Sequence, residues 1–196
     1  AIALCGPIGA GKTTLALLLS GLITKFEGGR DYRGSPPMML MQFPERQIFC
    51  ETVLDEVAYG LIARGITKIQ AEALARDALL TSGLDPDRFG RRDPRSLSGG
   101  QKRRVMLAVA AAIESPLYIL DEPQAALDEE GVKALRGLCS NWLKRKSSYI
   151  LVSHDFEFLR ALTSRVLVLN QGRIMFDNAW GALDCSQNLL SSIGFD

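Results

Sequence analysis

Gly6-Pro7-Ile8-Gly9-Ala10-Gly11-Lys12-Thr13 stands between the apolar run Ile2-Ala3-Leu4-Cys5 and the helix-forming stretch that opens at Thr13 and Thr14. The octapeptide has the GxxxxGK[ST] spacing of a phosphate cradle, in the strand-to-helix setting the mechanism needs. Glycines let the backbone turn tightly and point successive N–H groups inward, while the helix start adds partial positive charge. Lys12 is placed to reach the β and γ phosphates of a nucleotide, the Thr13 hydroxyl to ligate Mg²⁺, and Thr14 to open the helix beside it. The plain alternative is a glycine-rich connection that binds nothing. Its placement between a strand and a helix weighs against that.

Working outward, short apolar runs without alternation occur at residues 1–5, 117–120, 149–152 and 166–169, with helical stretches between them. That pattern predicts an α/β fold of parallel strands covered on both faces. The turn at residues 170–172 leads into a hairpin strand over 173–176, and a weak helix is expected over 178–193. Between Gln42 and Pro116 the strand signal vanishes and helices take over. Thr67 and Gln70 form a capping box before one of them, and Gly83 stops it. The reading is one domain: a core of residues 1–41 and 116–196, with a helical insertion over 42–115.

Composition agrees with a single globular unit: 196 residues, 47% hydrophobic and 23% charged. A net charge of +1 offers no argument for nucleic acid or an acidic membrane surface. Cys5, Cys50, Cys139 and Cys185 are far apart and form no CxxC pair, so reduced thiols in a cytosolic protein are expected. The apolar run Val105 to Ile113 is about half of the roughly 20 residues a membrane-spanning helix needs. With no initial Met and a strand from the first residue, the chain is expected to begin partway into its fold.

The strand Leu117-Tyr118-Ile119-Leu120 ends in Asp121-Glu122, and ligands of parallel sheets collect at strand carboxyl ends. Asp121 can therefore hold Mg²⁺, and Glu122 can polarise an attacking water. Two acids after a strand are also an ordinary turn, and the nearby cradle is what favours chemistry.

Leu97-Ser98-Gly99-Gly100-Gln101 is similar to the signature peptide of the ATP-binding cassette (ABC) family, and on it the chain resembles that family over nearly its whole length. Ser98 and the two glycines open a helix whose start suits an anion. The resemblance implies a P-loop NTPase (RecA-like) parallel core with a helical signature subdomain and a reduced antiparallel β-subdomain. It also implies ATP and Mg²⁺ as ligands and a head-to-tail homo- or heterodimer that encloses two ATP molecules. Gln42 stands at the glutamine loop, where it would join Thr13 and Asp121 at the metal and assist catalysis. Ala125-Ala126-Leu127-Asp128 matches the D-loop, and His154 in Val152-Ser153-His154-Asp155 the switch histidine. The implied site is Glu122, His154, Gln42 and Lys12 for catalysis, with Gly6 to Thr14, Ser98 to Gln101 and Asp128 for nucleotide.

Gln42-Phe43-Pro44-Glu45-Arg46-Gln47-Ile48-Phe49 resembles the segment characteristic of energy-coupling-factor ATPases, which drive uptake of vitamins and transition-metal ions. By that resemblance a groove walled by Ile48, Phe49, Val53 and Val57 receives helices of a transmembrane component, and the protein sits peripherally on the cytoplasmic face of the membrane. Ordinary packing explains those apolar residues equally well. Another ABC importer or exporter ATPase, a soluble ABC ATPase and a non-hydrolysing nucleotide-binding module are the alternatives. The basic run of Arg91, Arg92, Arg95, Lys102, Arg103 and Arg104 lacks interleaved aromatics and is expected to be a solvated or phosphate-facing surface, with no nucleic-acid partner. Relative to the family, the strands before the cradle and an adenine-stacking aromatic are missing, with Phe26 and Tyr32 poor substitutes. Ala125 stands where the family often has serine.

Overall fold

The computed structural model describes residues 1–32 and 34–184; Cys185 and the far part of the expected tail helix lie outside them. The chain forms two compact units. One comprises Ala1–Met39, Pro116–Glu122 and the residues from 142 on, and the other Leu40–Ser115 with Pro123–Asn141.

The first unit is built on β1 (Ile2–Cys5), β2 (Met38–Leu40), β3 (Leu117–Asp121), β4 (Ser148–Val152), β5 (Arg165–Asn170) and β6 (Arg173–Ala179). They make one sheet in the order β2-β3-β4-β1-β5-β6. β1 runs parallel to β4 and β5, and β3 parallel to β4. Consecutive residues Ala3, Leu4 and Cys5 are all buried, as are Ile119 and Leu120 and then Leu151 and Val152. Neighbours on opposite faces are thus both covered, which is why the runs show no alternation. β6 returns antiparallel to β5 with a bulge between Val168 and Leu169, and it extends to Ala179, past the expected end at residue 176. The apolar trio forming β2 escaped the sequence reading, being too short to show a period. Described residues 21–37 contain no strand, so the segment after the cradle's helix adds nothing to an antiparallel layer.

Register places the site. Leu4 lies opposite Val152, which in turn lies opposite Asp121, so β1, β4 and β3 end side by side. Whatever follows each strand must meet at that edge. Away from it, Tyr118 and Trp142 stack with centroids 4.0 Å apart at 11°. Trp180, at the start of α8 (Trp180–Asp184), donates its indole N–H to Thr163 O and Oγ1 at 3.1 and 3.0 Å.

The second unit packs α2 (Val53–Ile62), α3 (Lys68–Thr81) and α5 (Gly99–Ala112) against one another, with the short α4 (Pro86–Phe89) beside them. Val53, Val57, Ala71, Ala75, Leu79, Val105 and Leu107 are wholly buried. Val53 and Val57 are therefore core, and of the four groove residues proposed from sequence only Phe49 is strongly exposed, at 58%. Thr67 caps α3 by accepting from the Gln70 N–H, and Gly83, at φ 78°, follows its end.

Residues 123–141, including most of α6 (Glu129–Lys144), belong to this unit rather than to the strand core expected from sequence. The reason is Arg104 on α5. Its guanidinium donates to Gly83 O at 2.9 Å, to Glu130 Oε2 at 3.0 Å and to Asp128 Oδ1, binding the segment before α6 to the signature helix. Arg103 is likewise buried, donating to the carbonyls of Met41 and Gln42. Of the expected solvated or phosphate-facing surface, the solvated alternative fails for these two residues, because the helix turns both inward onto carbonyl and carboxylate oxygens.

Candidate active site

The loop after β1 takes its shape from its glycines. Gly6 has φ 141°, and a Cβ there would lie 2.0 Å from Leu169 O, so no side chain fits. Gly9 and Gly11 have φ of 79° and 99°. The Ala10 N–H donates to Pro7 O at 3.1 Å, and the Gly172 N–H donates to Ala10 O at 3.0 Å, closing the loop against the β5–β6 turn. Ile8 stands fully in solvent at its tip. Gly11 is the N-cap of α1 (Lys12–Ser20) and offers no capping side chain. Among the described residues, the N–H groups of Gly9, Gly11, Lys12, Thr13 and Thr14 donate no hydrogen bond. Five open donors thus lie in and just after the loop at a helix start, an arrangement that suits an anion. Lys12 Nζ donates to Gly6 O at 2.8 Å and Pro7 O at 3.0 Å, folding the cation back over the loop. Beneath, burial pushes the Cys5 thiol up to about 12, with Lys12 offsetting part of the shift, so Cys5 is no nucleophile.

Two carboxylates close the edge. Thr13 Oγ1 donates to Asp121 Oδ2 at 2.7 Å, and Asp121 is buried. A hydroxyl and a carboxylate so placed are the hard oxygen donors that Mg²⁺ takes from a protein when phosphates and water supply the rest. No cluster of three or more His, Cys, Asp or Glu that could hold a metal exists among the described residues. Glu122 adopts φ 47°, and its N–H donates to Val152 O at 2.8 Å. Its Oε2 accepts from Ser153 Oγ at 3.0 Å, and its Oε1 accepts from the His154 N–H at 3.1 Å and lies 2.8 Å from His154 Nδ1. A carboxylate only accepts, so a neutral His154 ring carries its proton on Nδ1. The imidazole itself is 77% exposed.

In the second unit, Ser98 caps α5. Its hydroxyl accepts from the Gln101 N–H at 3.3 Å while Gln101 Oε1 accepts from the Ser98 N–H at 3.1 Å, a complete capping box. A hydroxyl that accepts one hydrogen bond keeps its own proton to donate. Gly100 sits where a Cβ would lie 2.6 Å from Ala126 O, so the signature turn and the loop of residues 125–128 touch through backbone. A cavity of about 440 Å³ opens here, lined by Ser98, Gln101, Arg88, Arg104, Asp128 and Glu130 among others. Asp128 accepts from the Gly131 N–H at 2.9 Å and from Arg104, whose hydrogen bond holds its carboxyl below the usual range.

Residues 1–125 match the model of the ABC transporter family. The chain belongs to that family. It is 37% identical over 190 residues to the energy-coupling factor transporter ATP-binding protein EcfA2 of Streptococcus sanguinis, covering 88% of this chain and 67% of that one. To EcfA2 of Acetivibrio thermocellus it is 37% identical over 186 residues, covering 88% and 66%. The chain thus spans about two thirds of the length of these relatives. Among solved structures, a dimeric ATP-binding cassette in a post-hydrolysis state bound to ADP and Pi matches with TM-score 0.81 at 23% identity, over 91% of this chain and 84% of its own. cbiO1 from Clostridium perfringens, described as part of the ABC transporter complex cbiONQ, matches with TM-score 0.75 at 24% identity over 98% and 82%. Both likenesses speak for the fold.

Within this ABC cassette, the sheet edge joins Gly6 to Thr14 with Asp121, Glu122 and His154, while Ser98 to Gln101, Asp128 and Gln42 lie in the second unit. Gln42 is exposed, and its carbonyl is held by Arg103. Asp128 serves as an anchor for α6 and Arg104, a structural task the motif alone did not reveal. Phe26 and Tyr32 share one cation. Arg30 lies over both at 5.4 and 5.2 Å, and the Tyr32 hydroxyl donates to Leu19 O at 2.6 Å. Sequence reasoning misses two residues: Ser153 carries no signal beside His154, and Arg104 reads as one charge in a basic run, because the burial that gives both their partners is not written in residue type.

Proposed function

We propose that this chain is the ATP-hydrolysing subunit of an energy-coupling-factor transporter, working as a Mg²⁺-dependent dimer on the cytoplasmic face of the membrane. What carries the reading is the meeting of three groups at one sheet edge: a helix-capped ring of open N–H donors, the Thr13–Asp121 pair at 2.7 Å, and the Glu122 carboxylate tied to Ser153 and His154. The loop N–H groups and Lys12, exchanging its carbonyl partners for phosphate oxygens, hold the β and γ phosphates. Thr13 and Asp121 would hold Mg²⁺, with Gln42 as the further ligand the family resemblance implies, and the ion would supply positive charge against that developing on the phosphoryl group in transfer. Glu122 accepts a proton as water attacks the γ phosphorus and the bond to ADP breaks, and His154 steadies the reacting group. Ser98 and the α5 start serve the γ phosphate held by the other subunit, together with the Asp128 loop.

The branch assignment rests on Gln42 to Phe49 and on the names of the two EcfA2 relatives. No described helix is long and apolar enough to cross a membrane. The exposed Phe43, Phe49 and Tyr59 of the second unit are the apolar surface on which a transmembrane component would dock. The cargo is a vitamin or a transition-metal ion. Glu122→Gln keeps the shape and removes the base, so it should lower steady-state phosphate release roughly a hundredfold or more and accumulate an ATP-bound dimer. Turnover like that of the parent would refute the reading.

A further inference from the structure

Ser153 occupies a position no substrate-binding motif accounts for. It is completely buried at the end of β4. Its hydroxyl accepts from the Asp155 N–H at 3.0 Å and donates to Glu122 Oε2 at 3.0 Å, while its N–H donates to Leu4 O at 3.4 Å. These contacts are directional. A serine hydroxyl has one proton, and with Asp155 N–H occupying one acceptor site that proton is aimed at the carboxylate. Asp155, which donates to the hydroxyl, is also the N-cap of α7 (Phe156–Leu162) and accepts from the Phe158 N–H, so the hydroxyl is oriented by backbone at a fixed helix start. Glu122 needs such a hold. Its backbone sits in the left-handed region at φ 47°, where a non-glycine residue is strained. His154 supplies the second grip through Oε1, but its ring is 77% exposed and is the group expected to turn toward a nucleotide. When it turns, the buried Ser153 hydroxyl remains on Oε2 and the His154 backbone N–H on Oε1.

We infer that Ser153 is a positioning residue for hydrolysis: its hydroxyl fixes the Glu122 carboxylate through Oε2 while His154 engages the nucleotide. The inference rests on the proposed role of Glu122 as base, and it leaves nucleotide binding untouched because Ser153 faces the carboxylate and not the cradle.

The test uses the full chain in its assembled dimer with ATP and Mg²⁺. Ser153→Ala should lower kcat roughly ten- to a hundredfold, since a catalytic group misplaced by about an ångström loses that much, with KM for ATP nearly unchanged. Ser153→Thr, which keeps the hydroxyl, should return kcat to within about threefold of the parent. Ser153→Cys, of similar size with a weak donor, should fall between them, and it carries the test if the alanine variant does not fold. In single turnovers, adding Ser153→Ala to Glu122→Gln should cause no further loss, because the two act as one unit. A parental kcat in Ser153→Ala and Ser153→Cys, a raised KM at constant kcat, or an equal additional loss in the Glu122→Gln background would each overturn the inference. If Glu122→Gln itself turns over like the parent, the assignment of the base has failed. If Glu122→Gln is inactive but Ser153→Ala is not, only the inference has.

Discussion

Replacing Gly6 by alanine tests the geometry of the cradle most directly. The new Cβ would lie 2.0 Å from Leu169 O, 3.0 Å from Leu169 C and 3.3 Å from Leu169 N, all backbone atoms of β5. None can swing aside as a side chain would, and Leu169 is itself buried and paired with Ile174 in the sheet. Loop and strand must therefore separate by more than an ångström. Crowding of that kind costs about 1–3 kcal/mol, and holding alanine at φ 141° costs on the order of another 1–3 kcal/mol. The expected loss is about 2–6 kcal/mol, a large share of the roughly 5–15 kcal/mol that keeps a domain folded. Gly9→Ala is the control, since its Cβ meets nothing within 4 Å and pays only for φ 79°. It should lose about 1–2 kcal/mol. Urea unfolding of nucleotide-free protein measures both. Equal losses in the two variants, or a loss under about 1 kcal/mol in Gly6→Ala, would show that the approach to Leu169 does not constrain the loop.

Other outcomes follow from single contacts. Thr13→Val removes the hydroxyl that meets Asp121 and should weaken the Mg²⁺ dependence of hydrolysis about tenfold or more, read from metal titration of phosphate release. Gly100→Ala places a Cβ 2.6 Å from Ala126 O, and should depress kcat by displacing the loop of residues 125–128 while nucleotide affinity, measured by fluorescent analogue, holds. Trp142→Ala deletes a buried ring stacked on Tyr118 and should cost about 3–5 kcal/mol in urea unfolding. The Cys5 thiol, raised from 9.0 to about 12, favours the folded state fully below pH 9 and progressively less as pH climbs toward its folded value. Stability should therefore decline in that window and decline less in Cys5→Ala.

The strand runs, the cradle and the carboxylates were legible because each is local: period, spacing and residue type are all written in a few consecutive positions. Asp121 and Thr13 could be paired before any coordinates because strand carboxyl ends gather in parallel sheets. What escaped was long-range. Arg104 meets Gly83, Asp128 and Glu130 across 21 to 26 residues, so no window of sequence shows that the stretch after Glu122 belongs with the helical unit. Val53 and Val57 look the same as Phe49 in a hydrophobicity scan, yet they are core and it is surface. β2 failed for the opposite reason, since three apolar residues carry no periodicity to detect.

Both tryptophans, Trp142 and Trp180, lie in the strand-bearing unit and none in the helical one. Indole emission consequently reports melting of the sheet side alone, whereas far-ultraviolet dichroism is weighted toward the helices. Recording the two signals in one denaturation would reveal whether nucleotide fuses a pair of independently melting bodies into one cooperative transition.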